Sequence, residues 1–230
     1  MPLDGLTRLL RASGDHMPKW LSVATSDPQD ADDSGLYPVE KASISRAIVR
    51  RRSEFAAGRT AARKALNKLG LPDVEIPMAE DRSPVWPRGF TGSISHTDTA
   101  CIAVAAHDLH VRAIGIDLEP AQPMGFDQDG AVCSSRELAR MPHDPAIAER
   151  MLFSAKEAAY KAQFMLSRTL FGFNGLELSA TDGTHLHLTF QRAVTPFAKG
   201  ERITIRQWHN DAMILSLAVL PSRGPLPRFA

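Results

Sequence analysis

Each half of this chain contains a short, almost uncharged apolar run, Ala100–Ala106 in the first and Met213–Leu220 in the second. Neither approaches the ~20 apolar residues that cross a bilayer, so both read as buried strands. A stretch with helical periodicity stands ahead of each. From Lys41 to Leu69, the apolar residues Ile44, Ile48, Phe55, Ala62 and Leu66 recur at four- and seven-residue spacings. Gly70 and Pro72 supply a stop, and Gly58 is expected to divide the stretch into two helices. From Ser135 to Arg168 the pattern is again helical, split near Pro142 and Pro145.

The strand-like segments pair in order. Gly92–His96 and Ala100–Ala106 read as a hairpin across Thr97-Asp98-Thr99, and a third strand runs from Ile114 to Glu119 and stops at Pro120. Leu176–Ala180 pairs with His185–Phe190 across Asp182-Gly183, and Ile203–Trp208 with Met213–Leu220 across His209-Asn210-Asp211. The predicted fold class is therefore α+β, with two similar lobes, each carrying helices on a small antiparallel sheet. Residues 1–110 would form the N-terminal lobe and 111–230 the C-terminal lobe. Residues 1–35 contribute only an exposed loop, Ser26–Gly35, to this scheme.

Composition excludes several classes. The 230 residues are 43% hydrophobic and 23% charged with a net charge of +1, which argues against a general polyanion binder. Cys101 and Cys133 have no metal-like spacing, and Cys101 reads as a small core residue. The start, Met1-Pro2-Leu3-Asp4-Gly5, lacks a secretory pattern, so a cytoplasmic monomer is expected. One stretch departs from neutrality: Lys41, Arg46, Arg50, Arg51, Arg52, Arg59, Arg63, Lys64 and Lys68 face Glu54 as the single acid. A solvated helix face, a site for a phosphate-rich small ligand and a nucleic-acid surface all fit that pattern.

The acids carry the chemistry. Ile114-Gly115-Ile116-Asp117-Leu118-Glu119 alternates strictly, so Gly115, Asp117 and Glu119 share one face, with successive members about 6.6 Å apart. Two carboxylates so placed can converge on a hard cation such as Mg²⁺, and Gly115 would leave room for a ligand. The alternative is the polar face of an amphipathic strand. In Phe153–Phe164, Glu157 sits in the middle of the face formed by Phe153, Tyr160 and Phe164, flanked by Lys156 and Lys161. A carboxylate there is neutral, paired or metal-bound. A capping box of Ser154 with Glu157, or an ion pair of Glu157 with Lys161, would explain it structurally. His185 and His187 share a strand face but lack a third ligand, and read as solvent-facing.

Gly92-Ser93-Ile94-Ser95-His96, then Gly115-Ile116-Asp117-Leu118-Glu119, then Phe153-Ser154-Ala155-Lys156-Glu157-Ala158-Ala159-Tyr160-Lys161 together resemble the three-motif signature of Sfp-type 4′-phosphopantetheinyl transferases. The enterobactin-synthetase component D subgroup is the nearest likeness, with Arg51–Arg59 and Pro84-Val85-Trp86-Pro87 adding to it; the resemblance spans residues 36–178. It implies a pseudo-twofold α+β fold with coenzyme A between the lobes. It also implies transfer of 4′-phosphopantetheine to a serine of an apo carrier protein. Asp117, Glu119 and Glu157 match the Mg²⁺ ligands, with Glu157 also the base for the carrier serine. Lys156 and Lys161 match positions near the phosphates. Arg51, Arg59, Ser95 and His96 match positions at the 3′-phosphate and nucleotide end, and Arg82 is a looser match. Met165 stands where relatives commonly carry proline, and Phe171-Gly172-Phe173 where Leu-Gly-Phe is usual, near the expected carrier groove. A non-catalytic coenzyme A or carrier-protein binding module is the alternative on this scaffold, against which the full set of acids and lysines argues.

Overall fold

A computed structural model describes residues 2–124 and 132–222. In chain order the elements are α1 (Pro2–Ser13), β1 (Ser22–Ser26), α2 (Pro38–Ser43), α3 (Val49–Asn67), β2 (Phe90–His96), β3 (Cys101–His107) and β4 (Val111–Pro120). They continue as α4 (Ser135–Leu138), α5 (Pro145–Ser167), β5 (Leu176–Thr181), β6 (His185–Phe190), β7 (Arg202–His209) and β8 (Met213–Pro221). The strands make two antiparallel sheets, of order β1-β3-β2 and β4-β8-β7-β6-β5, so the fold class is α+β as expected.

The sheets meet where β2 lies beside β4, running in the same direction. No strand ladder joins them. Instead Ser93 Oγ accepts from the Ile116 amide and Ser95 Oγ from the Leu118 amide, both at 3.1 Å. The alternation of Gly92-Ser93-Ile94-Ser95 puts both hydroxyls on one side of β2, where they stand in for backbone carbonyls. On either side of this seam the order is mirrored: the apolar strands β3 and β8 each lie one place back from it.

A long helix packs on each sheet, α3 on β1, β2 and β3, and α5 on β4 and β8. The two contacts are made close in opposite ways. In the second sheet the gap is on the strand: a Cβ at Gly115 would stand 1.8 Å from the Ala158 carbonyl oxygen and 2.7 Å from the Ala162 nitrogen. Gly115 therefore admits the backbone of α5, not a ligand, which corrects the expectation drawn from its missing side chain. In the first sheet the gap is on the helix. A Cβ at Gly58 would meet side chains alone, Ile94 Cγ2 at 3.2 Å and Cys101 Sγ at 4.0 Å. Gly58 lies inside an unbroken α3, and the division falls instead at residues 44–48. The apolar count that merged the two helices included Ile48, which is 73% exposed.

The opposite faces of β3, β4 and β8 share a third core closed by α1, whose Leu6 and Leu9 are buried against Ile114, Ile116, Leu118, Leu215 and Leu217. Neither α1 nor β1 was read from the sequence. Their signals, Leu3, Leu6, Leu9 and Leu10 at helical spacing and five residues of mixed polarity, are too short to stand without the sheet they cover.

One anchoring device occurs twice. Glu40, the third residue of α2, accepts from the Tyr37 amide (2.9 Å), from the Ile76 amide (2.8 Å) and from Arg63 of α3 (2.9 Å), which also donates to Gly35 O. Glu137, the third residue of α4, accepts from the Ser134 amide (2.9 Å), from the Leu178 amide (2.9 Å) and from Lys156 of α5 (2.8 Å), which also donates to Val132 O. Both glutamates are buried, at 0% and 4% exposure, so each charge is retained only because its partners satisfy it.

Candidate active site

The seam carries an unsatisfied carboxylate. Asp117, on β4, is almost wholly buried. Its Oδ1 accepts from Lys161 Nζ at 2.8 Å and Ser95 Oγ at 3.0 Å, while its Oδ2 is buried without a partner. Buried oxygens are nearly always partnered, and an unpaired carboxylate oxygen is the costly case. Lys161 is held in place by two further acceptors, Ser95 Oγ (3.2 Å) and Ile116 O (3.0 Å). Motifs far apart in sequence thus converge here, one from β2, one from β4 and one from α5.

Glu157, on α5, lies near enough to feel the charges of Asp117 and Lys161. Burial pushes its carboxyl above the ordinary range, the nearby Asp117 charge adds to this, and Lys161 opposes it. Both structural explanations for this residue are replaced. Ser154 lies within α5 and bonds Ser216 Oγ (2.8 Å), and the helix is capped by Asp144. Lys161 crosses to Asp117 in place of an ion pair along the helix. The aromatic face around Glu157 is as expected: Tyr160 stacks on Phe164 and meets Phe171 edge-on, and Phe153 packs on Phe173. A cavity of about 110 Å³ lined by Glu157, Tyr160, Phe171 and Phe173 opens beside the carboxylate.

Glu119 completes the set differently. Its carboxyl is also raised, by burial first and by Asp117 second. Its Oε2, however, accepts from Arg150 NH1 at 2.6 Å. Among the described residues no three acids, histidines or cysteines are gathered closely enough to hold a metal as they stand. Glu119 is drawn toward Arg150, which leaves Asp117 and Glu157 facing the seam. The donor chemistry nevertheless suits a hard cation: oxygen donors throughout, one of them buried with no partner, and a neighbouring carboxylate short of positive charge.

The cations expected at the nucleotide end lie on α3 and β2. Arg51 NH1 donates to His96 Nε2 at 3.0 Å and to Glu54 Oε2 at 3.3 Å, and Arg50 donates to Glu54 Oε1 at 2.9 Å. Because arginine only donates, His96 Nε2 is an acceptor and the ring is neutral. Burial lowers the His96 pKa in the same sense. Arg50, Glu54 and His96 border a cavity of about 400 Å³ that also reaches Glu119. Arg59 is buried, donates to Ile76 O at 2.6 Å and lies over the Phe55 ring, and burial lowers its pKa to about 10. Arg82, in a left-handed conformation (φ 67°), borders a separate cavity of about 270 Å³ with Ser93, Tyr160 and Lys161. Lys156 is not with this group: it is 2% exposed and its ammonium is taken by Glu137 and Val132 O.

Other sequence candidates resolve as structure. His185 bonds Asp182 and Thr184, and His187 bonds Thr204 Oγ1. Burial pushes the Cys101 thiol up to about 12, so it is an inert core residue. The sequence reading missed Arg150, Glu54 and Glu137. Arg150 was the findable one, since it lies seven residues before Glu157 and so on the same helix face.

Known proteins match this chain in both halves. Residues 39–106 match the 4′-phosphopantetheinyl transferase N-terminal domain, and residues 113–212 match the 4′-phosphopantetheinyl transferase superfamily. The chain is 35% identical over 162 residues to 4′-phosphopantetheinyl transferase Npt of Nocardia iowensis, covering 70% of this chain and 68% of that protein. It is 37% identical over 160 residues to 4′-phosphopantetheinyl transferase PptT of Mycobacterium tuberculosis, covering 67% and 70%. Against enterobactin synthase component D of Salmonella typhimurium it is 34% identical over 193 residues, covering 79% and 77%. Identity alone does not separate these kinds of relative.

Proposed function

The chain belongs to the 4′-phosphopantetheinyl transferase superfamily, and from that premise we propose how its own residues carry out the transfer. It is an enzyme that moves the 4′-phosphopantetheine of coenzyme A to carrier proteins. In our reading, Asp117, Glu119 and Glu157 hold Mg²⁺, with adenosine 3′,5′-bisphosphate as the leaving group. The buried, unpartnered Oδ2 of Asp117 beside the desolvated Glu157 is the observation that carries this assignment. When bound, the cation would neutralise charge developing on the phosphate oxygens.

The protein's own groups supply the rest. Ser95 and Lys161 fix Asp117 through Oδ1, so that Oδ2 is presented in one orientation. Lys161 adds positive charge at the seam, beside the pyrophosphate. Glu157, its carboxyl raised by burial, is a stronger base than an exposed glutamate and takes the proton of the carrier serine, a weak nucleophile until deprotonated. Arg51 and His96 take the 3′-phosphate and nucleotide end, where the planar fork of arginine matches a phosphate; Arg59, buried on Ile76 O, would act there through its charge, and Arg82 would meet the ligand from the separate cavity it borders. Lys156, expected near the phosphates, instead has its ammonium taken by Glu137 and Val132 O, and its part in the reaction is to position Glu157, the next residue on α5.

We further propose lobes of residues 1–110 and 111–230 related by an approximate twofold, with coenzyme A in a cleft between them. The mirrored strand order about the seam and the repeated glutamate anchor support this arrangement. Among the described residues no helix is long and apolar enough to cross a membrane. A cytoplasmic monomer serving a siderophore or other non-ribosomal peptide, polyketide or acyl carrier is our reading, and the likeness to enterobactin synthase component D makes a siderophore carrier the first to try. Intact-mass spectrometry tests it. With coenzyme A and Mg²⁺, an apo siderophore carrier domain should gain one phosphopantetheine; EDTA should stop the gain and added Mg²⁺ restore it. No gain on siderophore, polyketide or acyl carriers sinks the assignment.

A further inference from the structure

Arg150 is bound on three sides. Its NH1 donates to Glu119 Oε2 at 2.6 Å, its Nε to Gln122 O at 3.1 Å and its NH2 to Pro123 O at 3.2 Å. The two side chains of the ion pair are each only 17% exposed. A charge-assisted bond of this kind is stronger than a neutral one, and screening by water is weak where both partners are mostly covered. Arg150 also stands on the helix that carries Glu157, two turns away on the same face, at roughly 10 Å along the axis. Glu119 therefore stands between two claims on its charge, the guanidinium on one side and the cation site on the other.

We propose that Arg150 is a positioning residue that holds Glu119 in reserve. The resting site presents Asp117 and Glu157, and Glu119 joins a divalent cation only by giving up its bond to Arg150. The inference rests on the metal assignment above and goes beyond it by naming the competitor. It also follows that metal binding is coupled to the segment after β4, because the guanidinium that releases Glu119 is the one that holds Gln122 O and Pro123 O. The absence of a three-ligand group among the described residues accords with this resting state.

The test is a double-mutant cycle on Mn²⁺ affinity, read by the free-ion electron paramagnetic resonance signal without coenzyme A, so that turnover plays no part. Four proteins are compared: the parent, R150M, E119Q and R150M/E119Q. Loss of one positive charge tightens cation binding in both backgrounds. The proposal requires an excess of about ten- to a hundredfold when Glu119 is present, the range expected for a charged hydrogen bond released to the metal. An equal effect of R150M in both backgrounds overturns it. If R150M does not fold, R150K replaces it: lysine keeps a charge but cannot span the three acceptors, so affinity should again rise more in the parent than in the E119Q background. D117A is the separate control. If D117A leaves Mn²⁺ affinity unchanged, the metal assignment itself has failed; if D117A abolishes binding while the cycle shows no coupling, only the role of Arg150 has failed.

Discussion

The two buried glutamates make the most informative comparison in the molecule. Glu40 and Glu137 each cap a short helix, receive an amide from a distant segment and pair with one cation of a long helix, which in turn grips the carbonyl two residues before the cap. The residues following those cations differ. After Arg63 comes Lys64, exposed to solvent; after Lys156 comes Glu157, half-buried at the seam. Successive helical residues point about 100° apart, so fixing the cation fixes where its neighbour points. The same anchor that only secures α3 in the first half also aims Glu157, the proposed metal ligand and base, in the second.

The sharpest way to break this comparison is at the acid itself. E157Q and D117A should each lower transfer by on the order of 10²–10³-fold or more, the scale of losing a group that stabilises transition-state charge. E157Q should leave the thermal midpoint unchanged or raised, because it removes a carboxylate that burial disfavours. An E157Q protein that unfolds, or that transfers at near-parental rate, would remove Glu157 from the chemistry.

Next come the anchors. E40A and E137A each strip the acid from a buried pair and should cost about 3–5 kcal/mol in denaturant titrations. The halves should separate at the cations. K156M should lower kcat in protein shown by circular dichroism to be folded, since Glu157 loses its rotational reference, whereas R63M should lower stability alone. A kinetic defect in folded R63M equal to that of K156M would show that the distinction between the halves is false.

Much of the fold was legible because it rests on local pattern. The hairpin of β2 and β3, the strand β4, and the order β5 to β8 follow from alternation and turn residues that act over short distances. What failed was information held by other parts of the chain. Gly58 reads as a helix breaker in isolation, yet its missing side chain serves contact with Ile94. Gly115 reads as space for a ligand until the backbone of α5 is seen to occupy it. Lys156 carries charge beside an acid in the motif, and only the position of Glu137, nineteen residues earlier, reveals where the ammonium goes. Glu157 stood out in the sequence because an acid in the middle of an aromatic helix face breaks the pattern, whereas Asp117 could be read only as part of an alternating strand face and its burial could not. Spacing could place Arg150 on the Glu157 face of α5, but not its bond to Glu119, which lies on another element.

The two glycines give a smaller test of the same contrast. G115A would push a methyl into the α5 backbone, which cannot yield locally, and should cost about 1–3 kcal/mol or more. G58A meets the Ile94 methyl, which must give by a few tenths of an ångström, and gains helix propensity, so its net effect should stay within about 1 kcal/mol of zero. Melting curves of the two variants decide it, and equal losses would mean the helices are seated alike.

The smallest effect concerns the nucleotide end, where His96 is neutral in the fold. Burial, and secondarily Arg51 and Lys161, lower its pKa, while Glu54 opposes them. A base whose folded pKa lies below its unfolded value resists a proton that the unfolded chain accepts. Stability is therefore full above the unfolded value of about 6.5 and declines as pH falls from there toward the folded pKa, with a slope of at most about 1.4 kcal/mol per pH unit. Glu54 acts in a lower window. Although burial pushes it up, its bonds to Arg50 and Arg51 draw it below its ordinary range, so its contribution fades only as pH drops beneath about 4.5. In metal-free protein, H96Q should flatten the decline just below pH 6.5 and leave the lower one. Unchanged slopes there would mean that His96 is already charged in the folded chain and that Arg51 points elsewhere.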